Sequence, residues 1–318
     1  MNRPLWRTGA LTLLAVGLAT AFAGPSQAAP SHLRTGHAGA VSAAEQQRVA
    51  RYWTPERMRQ AVPMDTITLD AGTRLGEVAR GVPQTVGATP LSFPNSGGAW
   101  TGGGAVTRTV GRVFFTFQGR NASCSGDAVT SANKSVVSTA GHCVKLQGAW
   151  HTNWTFAPGY DNGNTPFGTW PARQTMATPQ WAASENITYD IGAAVVNPVG
   201  GRALTDVVGG QGIAFNQPRG QGMYAFGYPA AAPYDGSKLI YCSGTVFNEF
   251  LGTGDIGMTC NMTGGSSGGP WFLRFAEATG TGTQNSVNSF KYNFSPVWMF
   301  GPYFGTDAQN LYNSAQAV

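Results

Sequence analysis

From about residue 105 onward the apolar residues come in short runs separated by turn-forming residues. The runs Val110–Phe117, Ala128–Ser131, Ser135–Ser138, Ile191–Val196, Met223–Phe226, Leu239–Cys242 and Pro270–Arg274 are rich in Val, Ile, Phe, Tyr and Thr and are bounded by Gly, Asn, Asp and Pro. That pattern predicts short β-strands. No strand–helix alternation is visible, which argues against a parallel sheet. One late stretch, Asp307–Ala317, has a helical pattern, with Thr306 as its expected cap. The prediction for this part of the chain is all-β with a C-terminal α-helix.

The first hundred residues are patterned differently. An apolar run from Ala10 to Gly24 follows Arg3 and Arg7 and precedes Ser26-Gln27-Ala28. It is shorter than the ~20 apolar residues a spanning helix needs. The basic start, apolar middle and small-residue end mark residues 1–29 as a secretory signal peptide. Ser42–Arg51 is polar and helix-friendly. Thr54-Pro55-Glu56 places a hydroxyl cap, a proline that needs no N–H, and an acid at a helix start. Met58 and Ala61 form its apolar face. Residues 30–96 are therefore expected to be a pro-segment. The glycine runs at its end, Gly97-Gly98 and Gly102-Gly103-Gly104, are expected to be flexible and open to proteases.

Composition sharpens this picture. Only 11% of residues are charged, and there are 44 Gly and 19 Pro, as suits a turn-rich β protein. The formal charge is +5, but residues 1–96 hold 9 Lys/Arg against 5 Asp/Glu. The positive charge thus sits mainly in the leader, which gives no electrostatic case for a nucleic-acid partner. The four cysteines, Cys124, Cys143, Cys242 and Cys260, follow a signal peptide and are expected to form two disulfides. Three pairings are possible. Cys124–Cys143 and Cys242–Cys260 are favoured because each lies within one local segment. No C-x-x-C spacing points to a metal site, and no metal or other cofactor is expected.

The strongest chemical signal is Gly264-Gly265-Ser266-Ser267-Gly268-Gly269-Pro270. Glycines around a serine allow the backbone turns that expose its hydroxyl and aim N–H groups at a developing oxyanion. All four histidines, His32, His37, His142 and His151, precede Ser267. An α/β-hydrolase needs its base after the nucleophile, so that reading fails. His32 and His37 lie in the leader. His142 ends a strand-like run, Val136 to Ala140, at a small-residue turn beside Cys143. His151 is expected to be a surface or packing residue.

Thr139-Ala140-Gly141-His142-Cys143 resembles the T-A-A-H-C motif of chymotrypsin-like proteases. Asp190-Ile191-Gly192-Ala193 resembles their D-I-A-L segment. The resemblance covers roughly residues 105–318, and its glycine approach to the serine is similar to that of bacterial glutamyl endopeptidases. It implies two antiparallel six-stranded β-barrels over residues 97–318 with the active site between them. It also implies a triad of His142, Asp190 and Ser267, with Gly265 and Ser267 amides as the oxyanion hole. Asp161 and Asp206 are rival acids, but they sit in turns. Ser266 stands where digestive relatives carry an aspartate for the new N-terminus, so activation through that ion pair is not expected. Asn261, Thr263 and Ser289 are the expected specificity-pocket residues, with no support for cleavage after Lys, Arg or Glu and a neutral or broad preference expected. The resulting expectation is a secreted, monomeric serine endopeptidase acting on proteins or peptides, away from membranes once the signal is removed. A protease-fold binding protein without activity is the alternative.

Overall fold

The structure, a computed structural model, describes residues 35–64, 67–69, 81–82 and 94–318. The expected signal peptide lies outside the described residues, as does part of the expected pro-segment. Among the described residues no helix is long and apolar enough to cross a membrane.

The chain is mostly β. Six strands close into a barrel: Val110–Phe117, Arg120–Ala128, Val136–Thr139, Gly192–Val196, Trp170–Ala177 and Thr152–Pro158, the last returning to the first. Every pairing round the ring is antiparallel. Closure pairs most of each strand on both sides and leaves only short stretches of edge, in Trp170–Ala177 and Arg120–Ala128, for other segments to pair with. Its interior is filled by Val113, Phe115, Val137, Phe156, Trp170 and Val195, all essentially buried.

The second half is built as two sheets. The six-stranded sheet runs Gly212–Ile213, Thr281–Val287, Pro270–Ala276, Gly222–Gly227, Ile240–Thr245 and Asn95–Ala99. The five-stranded sheet runs Phe247–Asn248, Ile256–Thr259, Ser295–Gly301, Phe290–Tyr292 and Ile67–Leu69. They share an apolar cluster that includes Met223, Met258, Trp271 and Met299. The disulfide Cys242–Cys260 joins a strand of the first sheet to the end of a strand of the second. Cys124–Cys143 forms the other disulfide, so both favoured pairings are present.

Several sequence expectations shift. The strand expected at Ala128–Ser131 instead ends at Ala128, and the real strand is Arg120–Ala128. Its sequence, Arg-Asn-Ala-Ser-Cys-Ser-Gly-Asp-Ala, lacks a β-branched residue. It is a strand because seven of its nine positions are buried between two neighbours. The terminal helix spans Thr306–Gln316, so Thr306 is inside the helix and Gly305 caps it without a side-chain bond. Asn95–Ala99 is a strand rather than a loose linker. It pairs with Ile240, Tyr241 and Ser243, and the following Trp100 packs edge-on against Phe226, Tyr241 and Phe275.

Residues 35–64 form ordered structure on the barrel. The helix Ala43–Tyr52 starts with a capping box between Ser42 and Glu45. Pro55–Gln60 starts with Thr54 accepting from Arg57 N at 3.3 Å. These reciprocal bonds satisfy N–H groups the helix itself leaves unpaired. Val49, Trp53, Met58 and Ala61 bury against Val110, Phe114 and Tyr160. Trp53 also donates its indole N–H to Asn153 O at 2.7 Å. Gly36–Ala38 and Val62–Pro63 extend strands of the barrel.

Candidate active site

His142 sits in a single 3₁₀ turn, Gly141–Cys143, directly after the buried strand Val136–Thr139. Three constraints hold that turn. Cys143 is bonded to Cys124. The His142 carbonyl accepts from His151 Nε2 at 2.9 Å. A Cβ at Gly141 would lie 2.6 Å from the Trp181 ring, so only glycine lets that indole close over the turn. His151 is stacked on Phe115 at 4.2 Å. Burial lowers its pKa to about 4, so the neutral ring carries its proton on Nε2 and donates. It is a packing residue, buried rather than on the surface.

Asp190 caps the 3₁₀ turn Ile187–Tyr189 at the mouth of the strand Gly192–Val196. Its Oδ1 accepts from His142 N at 2.7 Å, and its Oδ2 meets His142 Nδ1 at 2.7 Å. Ser289 Oγ donates to the same Oδ2 at 2.6 Å. Both residues are fully buried. A buried carboxylate needs such donors to offset lost hydration. The two rival acids are elsewhere on the surface. Asp206 pairs with Lys134 at 2.9 Å, and Asp161 closes a turn with Asn164.

The loop Gly264–Gly269 is wired into both halves of the molecule. Ser125 N donates to Ser267 O at 2.7 Å. Ser125 Oγ donates to Gly265 O at 2.9 Å and accepts from Tyr228 N at 2.8 Å. Asn288 Nδ2 donates to Ser266 O at 2.9 Å. Gly265 and Gly268 have φ of 92° and 79°, the left-handed region that glycine enters without strain. A Cβ on Gly268 would also lie 2.1 Å from Thr139 Oγ1. Ser266 Oγ donates within its own loop, to Thr263 O at 2.7 Å. Ser267 is 1% exposed, and neither its Oγ nor His142 Nε2 has a hydrogen-bond partner.

A stretch of the N-terminal segment lies across this loop. Met64 N donates to Ser123 O at 2.8 Å, and Gly265 N donates to Met64 O at 2.9 Å. This contact is not legible in the sequence, because nothing local marks Met64 as different from any other methionine.

Of the expected pocket residues, Asn261 is exposed and accepts from Tyr234 OH at 2.6 Å. Thr263 Oγ1 donates to Ala231 O at 2.6 Å. Ser289 supports Asp190 instead. A residue missed by the sequence reading, Lys291, lies two positions beyond Ser289. Its Nζ donates to Cys260 O at 2.8 Å and to Pro296 O. Burial lowers its pKa to about 8, and it forms no ion pair among the described residues.

Cys124, His142 and Cys143 form a group within metal-ligand distance of one another. Both sulfurs are spent in one disulfide, and His142 Nδ1 is engaged by Asp190. A metal would need thiolates and a free ring nitrogen, so this group does not fit one.

No protein-family model matches the chain. The chain is similar to an extracellular metalloprotease of Bacillus subtilis (strain 168), 27% identical over 166 residues, or 45% of this chain and 52% of that protein. It thus spans about half the length of that curated relative. Among solved structures it is similar to the protease Anisep from Arthrobacter nicotinovorans, with 48% identity and a TM-score of 0.63 over 66% of this chain and 96% of that one. It is also similar to the thermostable serine protease AL20 from an extremophilic microorganism, with 45% identity and a TM-score of 0.64 over 67% of this chain and 99% of that one. A Glu endopeptidase matches at 16% identity and a TM-score of 0.56, covering 70% of this chain and 98% of that one, which is a likeness of fold. On these grounds the chain belongs to the chymotrypsin-like serine protease family.

Proposed function

We propose that the protein is a secreted serine endopeptidase whose nucleophile is Ser267, whose general base is His142 and whose orienting acid is Asp190. The observation that carries this reading is the buried His142–Asp190 pair, bonded twice at 2.7 Å. A carboxylate on Nδ1 fixes the tautomer that leaves Nε2 as a base, and it stabilises the imidazolium that forms. The glycine loop with its serine is tied to the same turn through Ser125, Cys124 and Cys143. The two C-terminal sheets, clipped together by Cys242–Cys260, are read as a second barrel that is not fully closed.

In this mechanism His142 Nε2 takes the Ser267 proton as Oγ attacks a peptide carbonyl. The Gly265 and Ser267 amides stabilise the oxyanion. His142 then protonates the leaving amine, and a water activated by the same imidazole releases the acyl group. Secretion is supported by the expected signal peptide and by two disulfides. The test uses protein freed of its N-terminal segment. A fluorophosphonate should label Ser267, and casein should be cut. Ser267→Ala or His142→Ala should lose activity on the order of 10⁴–10⁶-fold. Normal casein cleavage by Ser267→Ala would refute the assignment. A properly folded, trimmed protein that neither labels nor cleaves would favour the inactive binding protein instead.

A further inference from the structure

The segment Val62–Leu69 touches both walls of the candidate cleft, and its direction can be read from strand pairing. Val62 and Pro63 pair parallel with Ala122 and Ser123 of the barrel. Ile67, Thr68 and Leu69 pair parallel with Phe290, Lys291 and Tyr292. Between them Met64 bonds to Ser123 O and places its carbonyl on Gly265 N. Met64 is 8% exposed and packs into the main core cluster.

The direction a substrate must take follows from the proposed chemistry. Its leaving amine must lie beside His142 Nε2, which hands it a proton. The wall nearest the His142 turn is the strand carrying Ser123, since its neighbour Cys124 is bonded to Cys143. The acyl half then lies along Phe290–Tyr292. That strand starts next to Ser289, at the catalytic end. A chain approaching Ser267 from its far end must therefore run antiparallel to it. The segment 62–69 does the opposite: it starts at the Ser123 wall and leaves along Phe290–Tyr292.

We infer that the described stretches 62–64 and 67–69 are parts of a built-in inhibitor, laid through the active-site cleft backwards, with the Met64 carbonyl occupying the oxyanion site. The inference rests on the serine protease reading and adds its regulation. Reverse polarity explains how a strand can fill the site without being consumed. If Ser267 Oγ adds to the Met64 carbonyl, its proton goes to His142 Nε2. The described chain resumes at Ile67 beside Phe290, on the wall of the acyl half, so a strand of this polarity puts its leaving amine on the side away from His142, where it cannot collect that proton. The new Oγ–C bond then breaks, the proton returns, and the peptide bond is unchanged. The same occupancy accounts for the burial of Ser267.

The experiment compares the full chain with protein cut just before Pro94 and freed of the upstream segment. Fluorophosphonate labelling and peptide hydrolysis are measured in both. Trimming should raise both rates on the order of 100-fold or more, because a tethered strand competes at high effective concentration. Met64→Pro in the untrimmed chain removes the N–H given to Ser123, and should raise labelling by up to about tenfold. Peptide maps of untrimmed wild type and Ser267→Ala should be the same between residues 62 and 69. A Ser267-dependent cut after Met64 would overturn the reversed polarity, and equal labelling before and after trimming would overturn the inhibition. If the trimmed protein is inert in both assays, the protease reading fails. The docking is then decided by amide hydrogen exchange at Gly265 in Ser267→Ala. Protection that disappears on trimming upholds it; exchange unaffected by trimming refutes it.

Discussion

At the scale of single residues, the site depends on groups that fix others in place. Ser289 gives Asp190 a third donor beyond those from His142. Ser289→Ala should lower kcat by about tenfold, the value of one charge-assisted hydrogen bond, and leave KM almost unchanged. A rise in KM with constant kcat would place Ser289 in the substrate pocket instead. Lys291 offers a different prediction. Among the described residues its ammonium is bonded only to the backbone carbonyls of Cys260 and Pro296, so an acidic side chain entering there would meet a cation with no ion-pair partner among them. A peptide-library digest should favour acidic residues at the cleavage site, and Lys291→Met should lose that preference. A wild-type preference for neutral residues would instead agree with the sequence expectation. The three residues of the proposed triad each carry a local signature in the sequence: a small-residue turn, an acid at the mouth of an apolar strand, a serine among glycines. Ser289, Lys291 and Met64 carry none. Their roles come from neighbours 99, 31 and 201 positions away in the chain.

At the scale of elements, the legible strands were those in which apolar and β-branched residues coincide. Val110–Phe117 matches its expected bounds, and the run expected at Ile191–Val196 appears as Gly192–Val196. Arg120–Ala128 was missed because its strand character is imposed by neighbours on both sides, and tertiary context overrides weak propensity. The glycines of the serine loop were read correctly as turn formers, but the sequence does not show how little space surrounds them. Gly268→Ala must place a methyl 2.1 Å from Thr139 Oγ1 and 2.5 Å from Ser125 O at a φ of 79°. It should destabilise the fold by several kcal/mol, on the order of 3–5, through overpacking and backbone strain together. Urea unfolding would measure this; a loss below about 1 kcal/mol would show that the loop relaxes freely.

At the scale of the whole molecule, buried titratable groups predict how stability depends on pH. His151 has a folded pKa of about 4 against an ordinary 6.5. Below pH 6.5 the unfolded chain takes up a proton that the folded chain refuses. Stability is therefore full above pH 6.5 and declines down to about pH 4, by about 3 kcal/mol in total. Asp127 works at the other side. Burial raises its carboxyl pKa well above the usual range, so its neutral form suits the fold and stability falls as pH rises through that raised value. Replacing Asp127 with Asn should remove the decline that sets in as pH rises above the ordinary carboxylate range, and His151→Gln the decline below pH 6.5, in thermal melts taken across pH. Unchanged profiles would assign the pH dependence to other groups. The charge asymmetry of the sequence sets the N-terminal segment apart from the rest, yet gives no hint that the described residues upstream of Pro94 contribute strands to two sheets.

The strand Asn95–Ala99, stitched to Ile240–Ser243 and followed by the Trp100 aromatic contacts, sets a downstream limit for the maturation proposed above. A processing cut that spares the six-stranded sheet has to fall before residue 95. A fluorescent reporter fused ahead of that point would depart together with the blocking strand. The colour lost from each molecule would then count its conversion to working enzyme, one event per molecule.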